Sequence, residues 1–154
     1  MNTRKSTVLS AFAPLALVAL LHAGTASAAA PAAFTGPDFS GTYDCTGQDH
    51  HEGPYTGTVT LERVAAQSTG AYGAYTFTLD VPGYGVYRGH AASHGRQMAI
   101  HFALPDQSTR DYGTGIARFE RSRSGDWRFR KFYYEPEFKD GNHGFEDCVR
   151  RKRG

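Results

Sequence analysis

The sequence predicts an all-β fold: an eight-stranded antiparallel up-and-down (meander) barrel, closed between its first and last strands. Three observations predict it. Apolar and polar residues alternate with period two along most of the chain after residue 39. The alternating segments are separated by short turns rich in Gly, Pro, Ser and Asp, and short connections make successive strands antiparallel neighbours. The two cysteines, Cys45 and Cys148, lie in the first and last of these segments. An open sheet would leave those two segments as unpaired edges, which closure removes.

Residues 1–28 read as a cleaved signal peptide. Arg4 and Lys5 form a basic start, Val8 to Leu21 is apolar apart from Ser10 and Pro14, and Ala26-Ser27-Ala28 supplies a small-x-small site for cleavage after Ala28. An uncleaved anchor is the alternative, but a run of about 14 residues falls short of the ~20 that span a bilayer. Residues 29–38 read as a short linker, and 39–154 as a single β-barrel domain. The signal peptide implies a periplasmic or secreted protein that does not span the membrane after cleavage. In an exported chain, two cysteines imply a disulfide, Cys45–Cys148. Closing a loop of about 104 residues contributes ~4–5 kcal/mol in the chain-entropy model. Free or catalytic thiols are the other reading, without a Cys-x-x-Cys to support it.

The first strand is placed at 40–46. Strand two, 55–65, sets Val59 and Leu61 on one face and Thr58, Thr60 and Glu62 on the other. Strand three, 72–81, alternates Tyr75, Phe77, Leu79 and Val81 with Thr76, Thr78 and Asp80 before Pro82-Gly83 breaks it. Strand four, 84–93, contains Gly85 and Gly89, which suggest bulges or a barrel bend. Strand five, 96–104, points Met98, Ile100, Phe102 and Leu104 inward. In strand six, 110–122, Tyr112, Thr114 and Ile116 share one face, while Ala117 and Phe119 have the other parity, so a bulge is expected near Gly113 or Gly115. Strand seven, 126–135, sets Trp127 and Phe129 against Arg128 and Arg130, and strand eight spans 143–150.

Eight strands in this order, opening with Gly41-Thr42-Tyr43 where a Gly-x-Trp often begins the first strand, resemble the calycin group of lipocalin- and avidin-like exported barrels. The resemblance implies the architecture. It implies no ligand, because the helix that follows the lipocalin barrel and the biotin-contacting set of avidins have no counterpart here. Gly141 to Cys148 reads as a family signature with no activity attached.

Charge narrows the function. The full chain holds 17 Lys+Arg and 15 Asp+Glu, and removal of Arg4 and Lys5 leaves 15 of each sign. That balance argues against a nucleic-acid partner, which needs a basic surplus to neutralise phosphates. Basic residues do gather from Arg110 to Lys131, where an anion-binding face or a solvated barrel exterior are both possible.

Asp49-His50-His51-Glu52 is the densest polar cluster, and antiparallel closure would bring it near His143, so a divalent metal on His50, His51 and His143 is considered beside a metal-free polar loop. There is no Gly-x-Ser-x-Gly or other nucleophile signature; of the paired carboxylates, Glu146 and Asp147 point to opposite faces, and Glu135 and Glu137 share parity but flank Pro136 in a loop. Tyr43, Tyr75, Tyr87, Tyr112, Arg128 and Tyr133 are candidate ligand-binding residues, since amphipathic rings suit a cavity wall. A barrel filled by its own side chains is the competing reading. The expectation is an exported non-enzymatic binding protein of the cell envelope, taking a small ligand or a protein partner through the loops at one barrel mouth, with no obligatory cofactor. A metal-dependent or carboxylate-based envelope hydrolase and a purely structural envelope protein are the alternatives.

Overall fold

A computed structural model describes residues 32–152. The expected signal peptide, its cleavage point and the start of the linker lie outside the described residues. Eight strands form a closed barrel in sequence order: β1 (Gly41–Asp49), β2 (Gly53–Arg63), β3 (Tyr72–Val81), β4 (Gly85–His94), β5 (Gln97–Ala103), β6 (Tyr112–Arg121), β7 (Trp127–Glu135) and β8 (Asn142–Arg150). Every neighbouring pair is antiparallel, including β1 with β8. Cys45 sits opposite Cys148 in the β1–β8 register, and the two are disulfide-bonded, 2.07 Å between sulfurs. Among the described residues no helix is long and apolar enough to cross a membrane.

Two expectations about local geometry are corrected. No bulge interrupts β6, because the β5–β6 register runs unbroken from Ala103↔Tyr112 to Gln97↔Arg118. Gly113, Gly115, Ala117 and Phe119 face inward, which turns Tyr112, Thr114 and Ile116 outward. The glycines occupy the inner face because large inward side chains already fill that space. A Cβ on Gly113 would stand 2.7 Å from Phe102 Cζ and 2.5 Å from the Tyr134 carbonyl, and one on Gly115 3.1 Å from Lys131 Cδ. Gly89 likewise marks close approach and not a bulge. Its register with β3 and β5 is continuous, and a Cβ there would lie 1.8 Å from the His101 carbonyl oxygen. In addition, β6 begins only at Tyr112, after a 3₁₀ turn (Gln107–Thr109) that ends on left-handed Arg110.

Antiparallel order sends alternate turns to opposite ends. The end that carries the β2–β3, β4–β5 and β6–β7 turns is plugged. Phe39, just before β1, enters it and stacks on Phe119 at 4.0 Å, with Trp127 edge-on at 4.9 Å. The plug is tied by hydroxyls: Tyr43 donates to the Phe39 carbonyl (2.7 Å), and Tyr75 donates to the Pro37 carbonyl (3.2 Å) while accepting from Phe39 N–H (3.3 Å). Val59, Leu61, Phe77, Met98 and Ile100 continue the apolar filling. This leaves the other end, with the β1–β2, β3–β4, β5–β6 and β7–β8 turns, as the place where polar groups enter the barrel.

Closure joins two strands 103 residues apart in sequence, so the disulfide acts mainly on the unfolded chain. Replacing both cysteines (C45A/C148A) is expected to lower unfolding free energy by about 2–5 kcal/mol while preserving the β-sheet circular dichroism spectrum. Urea titration of the double variant beside wild type checks this; an unchanged midpoint would show that strand pairing alone holds the seam.

Candidate functional site: a polar barrel mouth above a buried lysine

The open end encloses a cavity of about 70 Å³. Strict alternation along β7 turns Trp127, Phe129, Lys131, Tyr133 and Glu135 inward, and the β7–β8 register sets Lys131 opposite Glu146 and Glu135 opposite Asn142. An apolar-looking strand face thus becomes a polar ladder over its upper half. The closure strand β1 contributes Asp49 at the same level.

Lys131 and Glu146 are deepest, each side chain 1% exposed, with Nζ 2.8 Å from Oε2. The approach is off the hydrogen-bond direction, so the contact is a charge pair and the ammonium makes no directed hydrogen bond. Its remaining surroundings are ring faces: Phe77 and Phe102 at 5.1 Å and Tyr133 at 5.4 Å from their centroids. Glu146 accepts a second contact from the Tyr55 hydroxyl, 2.5 Å.

Asp49 holds the β1–β2 turn together. One oxygen accepts the backbone N–H groups of His51 and Glu52, both at 2.8 Å, and the other accepts Tyr133 Oη–H (2.6 Å) and Asn142 Nδ2 (2.7 Å). Burial alone would raise its pKa, but these four donors outweigh it and hold the carboxyl below its ordinary range. Asp111 accepts Tyr84 (3.0 Å) and Tyr87 (2.9 Å) on one oxygen; burial still pushes it up, against the pull of those hydroxyls. Glu135 accepts from Asn142 Nδ2, yet burial first, and then the charges of Asp111 and Asp49, push it up to about 8. Burial, reinforced by these carboxylates, also raises Tyr55, Tyr87 and Tyr133, so their hydroxyls stay protonated and donate.

Three buried polar atoms lack a hydrogen-bond partner among the described residues: Asp111 Oδ1, Lys131 Nζ and Asn142 Oδ1. All three belong to this one cluster. Lys131 Nζ still lies 2.8 Å from Glu146 Oε2, and the Asp111 and Glu135 carboxyls are close enough to share a hydrogen bond, so the charges of this cluster largely meet one another.

Of the six candidate ligand residues, Tyr87 and Tyr133 line this cavity. Tyr43 and Tyr75 belong to the plugged end. Tyr112 lies on the outer face with its hydroxyl on Glu137, and Arg128 is exposed and paired with Glu120 at 3.2 Å. The Arg110–Lys131 basic stretch therefore divides: Arg128 and Arg130 stand outside, each on a carboxylate, while Lys131 points into the barrel.

The histidines do meet. His50 stacks on His143 at 4.8 Å and lies 5.0 Å from His51, and His50 N–H donates to the His143 carbonyl. Stacked rings direct their in-plane nitrogen lone pairs side by side and not toward a common point, and His51 Nε2 already contacts the Gly141 carbonyl at 3.0 Å. Among the described residues the one group of three His, Cys, Asp or Glu donors close enough for an ion is Cys45, Glu146 and Cys148, and its two sulfurs are bonded to each other.

Asp111, Lys131 and Asn142 were not singled out from the sequence, and Asp49, Glu135 and Glu146 were considered there only in the polar histidine cluster and as members of carboxylate pairs. A signal for three of them was present. Lys131 and Glu135 share parity with Trp127 and Phe129, and Glu146 shares it with Cys148. Asp111 had none, since it enters from a loop.

Comparison with protein-family models, with curated proteins and with solved structures found no match. The closed eight-stranded meander is compatible with a calycin-like architecture.

Two outcomes follow from the buried charges. E146Q leaves the Lys131 ammonium without its counter-charge in the interior and is expected to cost about 3–5 kcal/mol in urea unfolding, whereas K131M/E146Q recovers most of it because no uncompensated charge remains. A double variant as unstable as E146Q would mean the loss is one of packing. Glu135 titrates near 4.5 when unfolded and about 8 when folded, so the folded state binds the extra proton between those values. Its contribution is full below about pH 4.5 and is lost as pH rises through about 8, with Asp111 acting in the same direction. Stability of wild type should fall from pH 5 to pH 8.5 and the fall should be shallower in E135Q, as read by denaturant midpoints across that range.

Proposed function

We propose that this is an exported, non-enzymatic binding protein of the cell envelope that takes a small ligand into its barrel mouth. The observation that carries the reading is the asymmetry of the interior. One end is packed solid with aromatic rings, while the other holds a cavity lined by Asp49, Lys131, Glu135 and Glu146. A merely structural barrel has no need to bury charged groups where apolar side chains would fill the space. The Cys45–Cys148 disulfide fits export.

The size of the cavity limits the ligand. At about 70 Å³ it is far below the ~300–1,000 Å³ of sites that enclose drug-sized molecules. A lipid or a biotin-sized molecule is too large; a molecule of a few non-hydrogen atoms, or the end group of a longer one, is not.

The hydrolase reading keeps one observation in its favour: a buried carboxyl held at about 8 is what a general acid at neutral pH requires. The carboxylate pairs visible in sequence do not support it, because Glu135 is inside while Glu137 is outside on Tyr112, and Glu146 is inside while Asp147 is outside on Arg130.

Ligand-observed NMR with a library of polar fragments of up to about eight non-hydrogen atoms tests the binding reading. Some fragments should show saturation transfer with wild type and lose it in V81W, where an indole fills the cavity wall. A library silent against wild type, or signals that survive V81W, would remove the mouth as the binding site.

A further inference from the structure

The outside of the barrel has two unlike sides. Facing outward are Thr56, Thr58 and Thr60 on β2 and Thr76, Thr78 and Asp80 on β3, the polar surface of strands turned to water. Strands β6, β7 and β8 differ. Seven large apolar or aromatic side chains are exposed among the described residues, and five of them stand on these three adjacent strands: Ile116, Phe132, Tyr134, Phe145 and Val149, 41–64% exposed. Strand pairing sets three of the five in one row. Ile116 is opposite Phe132, Phe132 is opposite Phe145, and those two rings lie 5.4 Å apart. Single apolar residues scattered on a surface need no explanation, but a contiguous row of them marks a contact face.

We propose that two copies of this chain pair through this face, about a two-fold axis that runs along the Ile116–Phe132–Phe145 row. The rows on either side carry the argument, because they complement each other. Toward the mouth the next outward row is Thr114, Tyr134 and His143; toward the plugged end it is Arg118, Arg130 and Asp147. A two-fold axis along the central row lays each of these rows over the other one in the second copy. Tyr134 then meets the partner's Arg130, His143 the partner's Asp147 and Thr114 the partner's Arg118, and every contact is made twice. A ring face on a guanidinium and an imidazole on a carboxylate are favourable pairs. Arg130 already lies over the Phe145 ring at 4.9 Å, so pairing would hold it between two rings. An axis along β7 is the other way to bring the central rows together. It sets Arg128 and Arg130 each against its own copy, like charge on like.

Other occupants fit less well. Each arginine of the face stands beside a carboxylate, Arg118 and Arg128 on Glu120 and Arg130 on Asp147, at 2.9–3.9 Å. The face therefore has no uncompensated positive charge to draw it to an anionic lipid surface. An unrelated protein would require no complementarity between the two flanking rows, whereas an isologous dimer does, since the same patch serves both subunits. The face lies on the side of the barrel and the mouth at its end, so pairing does not depend on a ligand in the mouth.

Sedimentation velocity of the mature, disulfide-bonded protein over a concentration series tests the pairing. Wild type is expected to pass from monomer to dimer as concentration rises. F132D puts two carboxylates against each other at the centre of the contact and should weaken dimerisation about tenfold or more, with an unchanged circular dichroism spectrum because Phe132 is exposed. T78D, on the polar side, should leave the dimer as it is. A short bismaleimide then reads the axis: I116C, F132C and F145C should each link to a second copy of itself, and H143C should link to D147C in a mixed sample more than either links to itself. Wild type monomeric at every concentration would overturn the pairing, as would a dimer that survives F132D or one lost equally in T78D. Linking of I116C to F145C without self-linking of either would overturn the axis. Wild type that stays monomeric yet floats with phosphatidylglycerol vesicles, and no longer does so as F132D, would overturn the second copy in favour of a lipid surface.

Discussion

Everything in this molecule depends on β1 meeting β8. Until that seam closes, the sheet has two edges and no interior. Once it closes, the inner faces of eight strands share one narrow space of fixed volume. The seam is also the contact with the greatest separation along the chain, 103 residues between its bonded cysteines. Such a contact loses the most conformational entropy on forming, which is why a covalent link placed there has the most to contribute.

A closed interior imposes a volume rule. Large inward side chains are accommodated by glycine on the facing strand. The Tyr133 hydroxyl occupies the space a Cβ on Gly144 would take, at 2.3 Å, and the Tyr55 ring does the same above Gly47, at 2.2 Å. With Gly113 beneath Phe102 and Gly115 beside Lys131, these pairs explain how a small barrel holds so many rings and a whole lysine side chain. They also set the orientation of the phenols. Each ring lies across a glycine with its hydroxyl directed at a carboxylate, Tyr55 on Glu146 and Tyr133 on Asp49.

The polar mouth is a consequence of filling the barrel from one side. Phe39 and the rings around it use up the aromatic residues at the plugged end, and the carboxylates collect where strands β7 and β8 rise to the opposite turns. Hydrogen bonds from tyrosine and asparagine keep Asp49 charged, while burial and like charge drive Glu135 toward its neutral form. Two carboxyls on strands that flank β8 thereby acquire opposite protonation preferences from their surroundings alone.

Period-two alternation, short turns and the placement of Cys45 and Cys148 were enough to determine the number of strands, their order, the closure and the disulfide, because each is a local pattern or follows from pairing the ends of a meander. The nearness of His143 to His50 followed from the same logic. What the sequence left open was which inner face a glycine-rich strand presents. On β6, Tyr112, Thr114 and Ile116 look like a core face, but the facing Phe102, Lys131 and Glu135 leave room only for Gly113 and Gly115. Parity with Trp127, Phe129 and Cys148 hinted at the face of Lys131, Glu135 and Glu146, but only the tertiary structure decided that these charges are buried there, that Asp111 reaches them from a loop, and that Arg128 and Tyr112 lie outside. The reason is physical. Burial of a charge is a property of the whole ring of strands, settled by volume and counter-charges contributed from far along the chain, and no window of neighbouring residues contains that information.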